Sequence, residues 1–411
     1  MTSGTKTAAS PKGWLNPTVA GAGLTSALGD VCYETTTVIL PGFLAILGIP
    51  AAALGIIEGI ADAISSFTKM AAGYFADKFG HRKLLVLAGY GLTPLGQALI
   101  ALASGSLLIL LGRAISWFGK GLRGPLRDAI VAQSITPENR GRAFGFHRAM
   151  DTIGAVAGPL LGVALLGWAQ HFAWEAAASA FRLVFWLTLI PGVLAVLAFL
   201  VLVRDPEQSP NPAMNFLTAL RGLPARFKRY LKAVGIFGTG DFSHSLLILA
   251  ATQLLTPSMG LVEAAQAAGL LYVFRNIVQA AASYPAGAVA DRYGQRNVLA
   301  AGYALGVLAA TLTAYAFASG AGSLALLAPV FFVAGLYAAV QEALESTVTA
   351  EMVSPGMLAM SYGALGTVNG ATKFVSSTAV GVLWSAVSPA FSFSAAAILM
   401  AAGTIALIRV R

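Results

Sequence analysis

Ionisable residues recur inside long apolar stretches of this chain, at spacings that place them in groups. Asp30 and Glu34 are four apart, so a helix puts both on one face. Glu58 and Asp62 repeat the spacing, with Lys69 two turns further on. Lys120, Arg123 and Arg127 form a stripe at i, i+3 and i+7, with Asp128 adjacent, and His147, Arg148 and Asp151 follow. Later come Asp241 with His244, then Arg275, Glu342 with Glu345, and Lys373. A charge inside a membrane helix costs about 3 kcal/mol on insertion scales, so such a residue is paired, wetted or functional. Asp30 and Glu34 are the first candidates for taking up and releasing protons, with Asp241 and His244 as counterparts later in the chain. Lys120 and Arg123 are candidates for holding an anionic substrate, because a guanidinium presents a bidentate fork to carboxylate or phosphate. Asp30 and Glu342 complete the candidate substrate set. The competing reading is ion pairing: Asp30 with Arg123 or Lys120, Glu58 and Asp62 with Lys69 or Arg148, and Asp151 near Arg148. A hard-cation site on the first four carboxylates is disfavoured by the Arg and Lys that compete for the same oxygens. The single cysteine, Cys32, leaves neither a disulfide framework nor a Cys-based metal site, and no metal is expected.

The elements that must position these groups follow from composition. Of 411 residues, 57% are hydrophobic and only 10% charged, against about 25% in an average soluble domain. The mean hydropathy is +0.75. Apolar runs of about 20 residues, long enough to cross a bilayer core, recur throughout and lack the alternation of a β-barrel. Twelve helical spans are predicted, at 20–44, 52–76, 84–104, 106–133, 142–168, 182–203, 230–255, 262–289, 298–319, 322–350, 357–385 and 388–408. Basic residues cluster in the connections after spans 2, 4, 6 and 8, and the net charge of +9 comes from these loops rather than from a nucleic-acid-binding surface. The positive-inside rule therefore places both termini in the cytoplasm. The predicted organisation is a cytoplasmic tail at 1–19, a six-helix bundle at 20–203, a cytoplasmic linker at 204–229, a second bundle at 230–408 and a tail at 409–411. The linker's basic cluster and prolines suit contact with anionic lipid head groups, with a short surface helix at 214–222. No signal peptide is recognisable. No phosphate-binding Gly-x-x-x-x-Gly-Lys-(Ser/Thr) loop and no catalytic constellation occur, so neither an ATP-driven pump nor an enzyme is expected.

A duplicated turn ties the two bundles together. Gly73-Tyr-Phe-Ala-Asp77-Lys-Phe-Gly80-His-Arg82-Lys83 recurs 214 residues later as Gly287-Ala-Val-Ala-Asp291-Arg-Tyr-Gly294-Gln-Arg296-Asn297. With twelve spans in two halves and a central linker, this pattern resembles the major facilitator superfamily over residues 18–408. The second copy is looser, with Gln295 and Asn297 where basic residues are usual. Span 5 carries Gly154-Ala-Val-Ala-Gly158-Pro159-Leu-Leu-Gly162, similar to the signature of that family's exporter branches. Its glycines also suit ordinary close helix packing. Arg113 is followed by Gly119 and Gly121, further along than the family's span 4 pattern has them. The resemblance implies two six-helix bundles rocking about a central site lined by spans 1, 4, 7 and 10. It also implies a cytoplasmic latch at Gly73, Asp77, Arg82 and Asp291. Aligning Leu126 with Leu344 sets Arg127 opposite Glu345, so Arg127, Asp128 and Glu345 are candidate gate residues.

The resulting expectation is an all-α polytopic transporter in a bacterial inner membrane, monomeric, without cofactor, driven by a proton gradient. It would export a small organic, possibly anionic, compound or drug in exchange for protons. The alternatives are proton-linked uptake of an organic anion, export of a metal or other cation, and a membrane sensor that transports nothing.

Overall fold

A computed structural model describes residues 14–79, 82–136, 140–172, 177–204, 223–320, 322–353 and 358–410. These residues fold into α-helices joined by short turns. The first group comprises α1 (Pro17–Ile46), α2 (Ala51–Phe79), α3 (Arg82–Ala101), α4 (Ser106–Gln133), α5 (Arg140–Ala169), α6 (Ala177–Leu187) and α7 (Leu189–Leu202). The second comprises α8 (Ala225–Gly238), α9 (His244–Met259), α10 (Leu261–Tyr293), α11 (Gln295–Ser319), α12 (Leu324–Met352), α13 (Leu358–Ala386) and α14 (Pro389–Ile408). The surface helix expected at 214–222 and most of the linker lie outside the described residues.

Each predicted span falls on a helix or on two consecutive helices, and two of them depart from a single rod. Span 6 begins earlier than expected, so Arg182 lies inside α6, where it donates to the Ala103 carbonyl at 2.8 Å. The same span is interrupted at Thr188 because Pro191 offers no N–H to the Leu187 carbonyl. Span 7 is broken outright: α8 stops at Gly238 and α9 starts at His244, capped by the Ser243 side chain. Gly240 in the break lies against α14, where a Cβ would stand 2.4 Å from the Ala396 carbonyl oxygen. Asp241 therefore sits on unwound backbone rather than on a continuous helix.

Eight segments of the described residues are apolar and long enough to cross a membrane; predicted spans 1, 4, 7 and 11 fall short. Those four carry Asp30, Glu34, Lys120, Arg123, Asp241, His244 and Lys373. Of these residues Asp30, Glu34, Arg123 and Asp241 are buried within the protein, as the cost of charge in lipid requires; α1 is buried along nearly its whole length.

Within the groups α3 lies on α4 and α1 on α5, and α11 lies on α14 and α12. Across them, α2 packs on α13 and α5 on α10. The α2–α13 crossing is made by small residues: a Cβ on Gly55 would stand 2.2 Å from the Ser377 carbonyl oxygen, and one on Gly370 would stand 2.2 Å from Ser66 Cβ. One apolar cluster, including Phe43, Leu54, Phe181, Leu255, Leu271, Trp384 and Phe393, joins both groups at the end holding the 47–50, 102–105 and 259–260 turns. Toward the opposite end the buried apolar clusters keep to one group each.

Candidate functional site

The site is built where α5 bears on α1. Asp30 and Glu34 are each 7% exposed. A Cβ on Gly154 would stand 2.8 Å from Asp30 Cβ, and one on Gly158 would stand 2.8 Å from Glu34 Cβ. Gly162 continues the seam, with the Thr35 carbonyl oxygen 2.8 Å from where its Cβ would be. The glycine motif therefore seats α5 on the turns of α1 that carry the two carboxylates. Pro159 adds a second effect. Lacking an N–H, it leaves the Ala155 carbonyl without its helical donor, and Asn276 Nδ2 of α10 donates to that oxygen at 2.9 Å. The proline thus frees a hydrogen bond that crosses between the helix groups.

Around the carboxylates the partners divide. Asp30 faces Arg123 at 3.8 Å, while the Arg123 guanidinium donates to Thr93 Oγ1 at 2.8 Å and lies 4.5 Å from the Tyr90 ring centroid. Lys120 points elsewhere. Its Nζ donates to Tyr33 Oη at 2.8 Å and stands 4.1 Å from the Tyr33 ring and 5.3 Å from the Trp117 ring. Glu34 accepts from Tyr272 Oη of α10 at 3.1 Å, a second bond between the helix groups. The Tyr272 ring stacks on His244, with centroids 5.1 Å apart and planes 14° from parallel. Asp241 faces Lys373 at 3.6 Å and accepts from Gln341 Nε2 at 3.5 Å.

The ion-pair expectations need correction at Glu58. Its partner is Arg113, which donates Nε and Nη2 at 2.9 and 2.8 Å in a pair with side-chain exposures of 0 and 1%. Arg113 also donates to Thr37 Oγ1 at 3.1 Å and stacks 3.7 Å from the Trp117 ring centroid. Lys69 and Arg148 cannot fill that place: Lys69 is exposed, and Arg148 lies near Asp151 at 3.5 Å with its side chain 75% exposed. Asp62 accepts from Trp117 Nε1 at 2.9 Å rather than from a cation. Asp151 also accepts from Ser26 Oγ.

The candidate gate residues stay in their own groups. Arg127 binds Asp128 at 3.2 Å, Ser26 at 2.8 Å and Tyr90 at 3.2 Å. Glu345 accepts from Tyr303 Oη at 2.7 Å, Asn369 Nδ2 at 2.6 Å and Gln341 Nε2 at 3.1 Å, all neutral donors on the second group. Arg127 and Glu345 are therefore not paired with each other in this structure. Glu342 is exposed and makes no ion pair among the described residues. In the duplicated turn, Lys83 Nζ donates to the Val203 carbonyl at 2.6 Å and Arg296 donates to the Val410 carbonyl. In both groups the basic residue thus binds carbonyls at the end of the last helix, where cations are favoured. Arg82 is buried. Gly73 and Asp77 belong to α2 and Asp291 to α10, and their side chains lie outside the described residues.

Several participants escape sequence reading. Tyr33, Trp117, Tyr272 and Asn276 sit in apolar runs, where an aromatic or amide gives no signal of its own. Arg113 enters the sequence reading only through the span 4 pattern, and its partner 55 positions away gives no signal there. The break at Asp241 had a signal in Gly238, Gly240 and the capping Ser243.

Known proteins add the family context. The chain is 29% identical over 375 residues to an uncharacterised MFS-type transporter of Methanocaldococcus jannaschii, covering 90% of this chain and 89% of that protein. A multidrug resistance protein B homolog of Mycobacterium tuberculosis is 35% identical over 142 residues, 34% of this chain and 24% of that protein. The fold is similar to a crystal structure of the nucleoside transporter NupG, with TM-score 0.79 and 16% identity over 96% of this chain and 99% of that chain. Residues 22–260 match the profile of the Major Facilitator Superfamily, and with the helix arrangement above this chain belongs to that superfamily of membrane transporters.

Proposed function

We propose that this transporter is driven by protons and exports a small organic compound, exchanging it for protons by rocking α1–α7 against α8–α14. The observation that carries the reading is Glu34: a buried carboxylate whose hydrogen-bond donor, Tyr272, belongs to the opposite helix group. A group whose charge state alters a bond across the moving interface can couple protonation to movement. Asp30, one turn away and only loosely held by Arg123, is the second proton-accepting group, and Asp241 and His244 are their counterparts. Export is supported by the glycine motif on α5 and by the partial likeness to a multidrug resistance protein. Arg127, Asp128 and Glu345 are assigned to a cytoplasmic gate that opens when the buried apolar contact between the groups is confined to the other end, as it is here.

A second reading, movement of an organic anion together with protons, is favoured by Lys120, a site cation resting on aromatic rings rather than on a carboxylate. Reconstituted vesicles distinguish the two. With a proton gradient imposed, antiport moves a radiolabelled compound against the proton flow, and co-transport moves it with the flow. Glu34→Gln and Asp30→Asn should each abolish gradient-driven movement while leaving exchange at equal pH on both sides. If both variants respond to the gradient like the parent, the coupling assignment fails.

A further inference from the structure

We propose that Lys120, Arg275 and His244 form one binding site for a small organic anion, with its apolar body against Tyr33, Trp117 and Tyr272. The proposal rests on the transporter reading, and its proton linkage favours the second form of that reading, movement of the anion together with protons, over exchange. It names Arg275 and His244, of the second helix group, as substrate ligands, and it removes Arg123 from that role. Arg123 is 3% exposed and already committed to Asp30, Thr93 and the Tyr90 face.

Three donors carry the inference. The Lys120 ammonium has Tyr33 Oη and two ring faces as neighbours, and it takes part in no ion pair among the described residues. The Arg275 guanidinium donates to the neutral amides of Asn276 and Gln279, at 2.9 and 2.6 Å, and lies 5.8 Å from the Tyr272 ring centroid. It too has no carboxylate partner among the described residues. His244 Nε2 is buried and without a hydrogen bond. The three come from α4, α10 and α9, so they span both helix groups. They also converge: the Tyr272 ring stacks on His244 and lies 5.8 Å from Arg275, its hydroxyl donates to Glu34, and Lys120 is held by Tyr33, the residue before Glu34 on α1.

Magnitudes favour an incoming anion. A cation resting on a ring is held more weakly than one hydrogen-bonded to an opposite charge. An anion therefore displaces the aromatic contact of Lys120, which then serves as a resting perch. Arg275 supplies the planar fork that suits a carboxylate, and His244 in its Nε2–H form supplies a further donor. The anion would bridge the groups beside the Glu34–Tyr272 bond.

That position fixes the sign of proton linkage. Glu34 is faced by Asp30 and Tyr33 on α1, Arg113 and Lys120 on α4, Tyr272 and Arg275 on α10, and the backbone of Gly158 on α5. An anion that draws Lys120 and Arg275 toward itself weakens their hold on the Glu34 charge. Anion binding and Glu34 protonation therefore promote each other.

The test is equilibrium binding to the purified full-length protein, using benzoate, neutral benzamide and benzylammonium as probes. Thermal unfolding is followed against probe concentration, since a ligand of the folded state raises the midpoint. Benzoate should give a saturable rise and the other two probes none. Lys120→Gln and Arg275→Gln should each weaken benzoate binding about tenfold or more, and Lys120→Arg should retain it. Midpoints without ligand report whether each variant folds, and Arg275→Gln stands as the independent variant if Lys120→Gln does not. Benzoate binding should also take up protons in weakly buffered solution, an uptake lost in Glu34→Gln. No saturable rise with benzoate, an equal rise with benzamide, or parental affinity in Arg275→Gln overturns the site. If vesicles carry out proton-driven transport while probe charge makes no difference, the anion site falls and the transporter reading stands. Charge-selective binding with no transport in vesicles gives the reverse outcome.

Discussion

Glu34 and Glu58 occupy equivalent-looking positions in the sequence, each four residues from an aspartate in an apolar run, yet their partners give them opposite uses. Glu58 is locked in a bidentate pair with Arg113 at 2.8 and 2.9 Å, and the donor that reaches it from the second group, Ser243 Oγ, stands at the longer distance of 3.5 Å. Breaking one side of a buried pair leaves an uncompensated charge at a cost of about 3–5 kcal/mol. Glu58→Gln should therefore lower the thermal unfolding midpoint sharply. Glu34→Gln keeps an acceptor oxygen for Tyr272, so it should lose roughly one neutral hydrogen bond's difference, about 1 kcal/mol or less, and keep a midpoint near the parent's. A variant pair with the reverse order of midpoints would overturn the division. Spacing could nominate both carboxylates, but it could not tell them apart, because Arg113 and Tyr272 reach them only through the fold.

At the scale of the helix, α5 has two functions written into one motif. Its glycines let it lie on α1 at the level of Asp30 and Glu34, and its proline releases a carbonyl to Asn276. Gly158→Val would place side-chain carbon where only 2.8 Å separates a Cβ from Glu34 Cβ. Overpacking of this kind costs about 1–3 kcal/mol, and coupled transport should be lost even where the protein still folds. Pro159→Ala restores a helical donor to Ala155 and should weaken the Asn276 bond; Asn276→Ala should reproduce its effect. If Pro159→Ala and Asn276→Ala shift transport rates additively rather than through one shared step, as a double-mutant cycle reports, the two residues do not act through the same bond. The small-residue pattern was legible from sequence, while the bond that Pro159 releases was not, since its donor lies 121 residues away. The break between α8 and α9 is the other case: its glycines and Ser243 were in view, but apolar flanks made the stretch read as continuous.

For the whole molecule, the buried apolar contact between the helix groups lies at one end. Ala52 N–H donates to Ser385 Oγ at 3.0 Å there, joining α2 to α13. Replacing Ala52 and Ser385 with cysteine in a Cys32→Ser background should allow a disulfide that holds this end shut. Alternating access needs that end to open, so oxidation should stop transport and reduction should restore it. Unchanged transport in the fully oxidised protein would refute the rocking movement at this end.

The sequence alone determined that the chain is helical, duplicated and built for a membrane, because composition and repetition are properties of the chain and need no contacts to be read. It also nominated nearly every charged group of the site, since a charge in an apolar run stands out whatever surrounds it. The tertiary structure decided which charges neutralise one another, which rest on aromatic rings and which reach across the interface between the helix groups. Those outcomes depend on side chains brought together from helices 55 to 238 residues apart. In a low-dielectric interior the identity of the nearest partner, more than the residue type, sets what a charge can do.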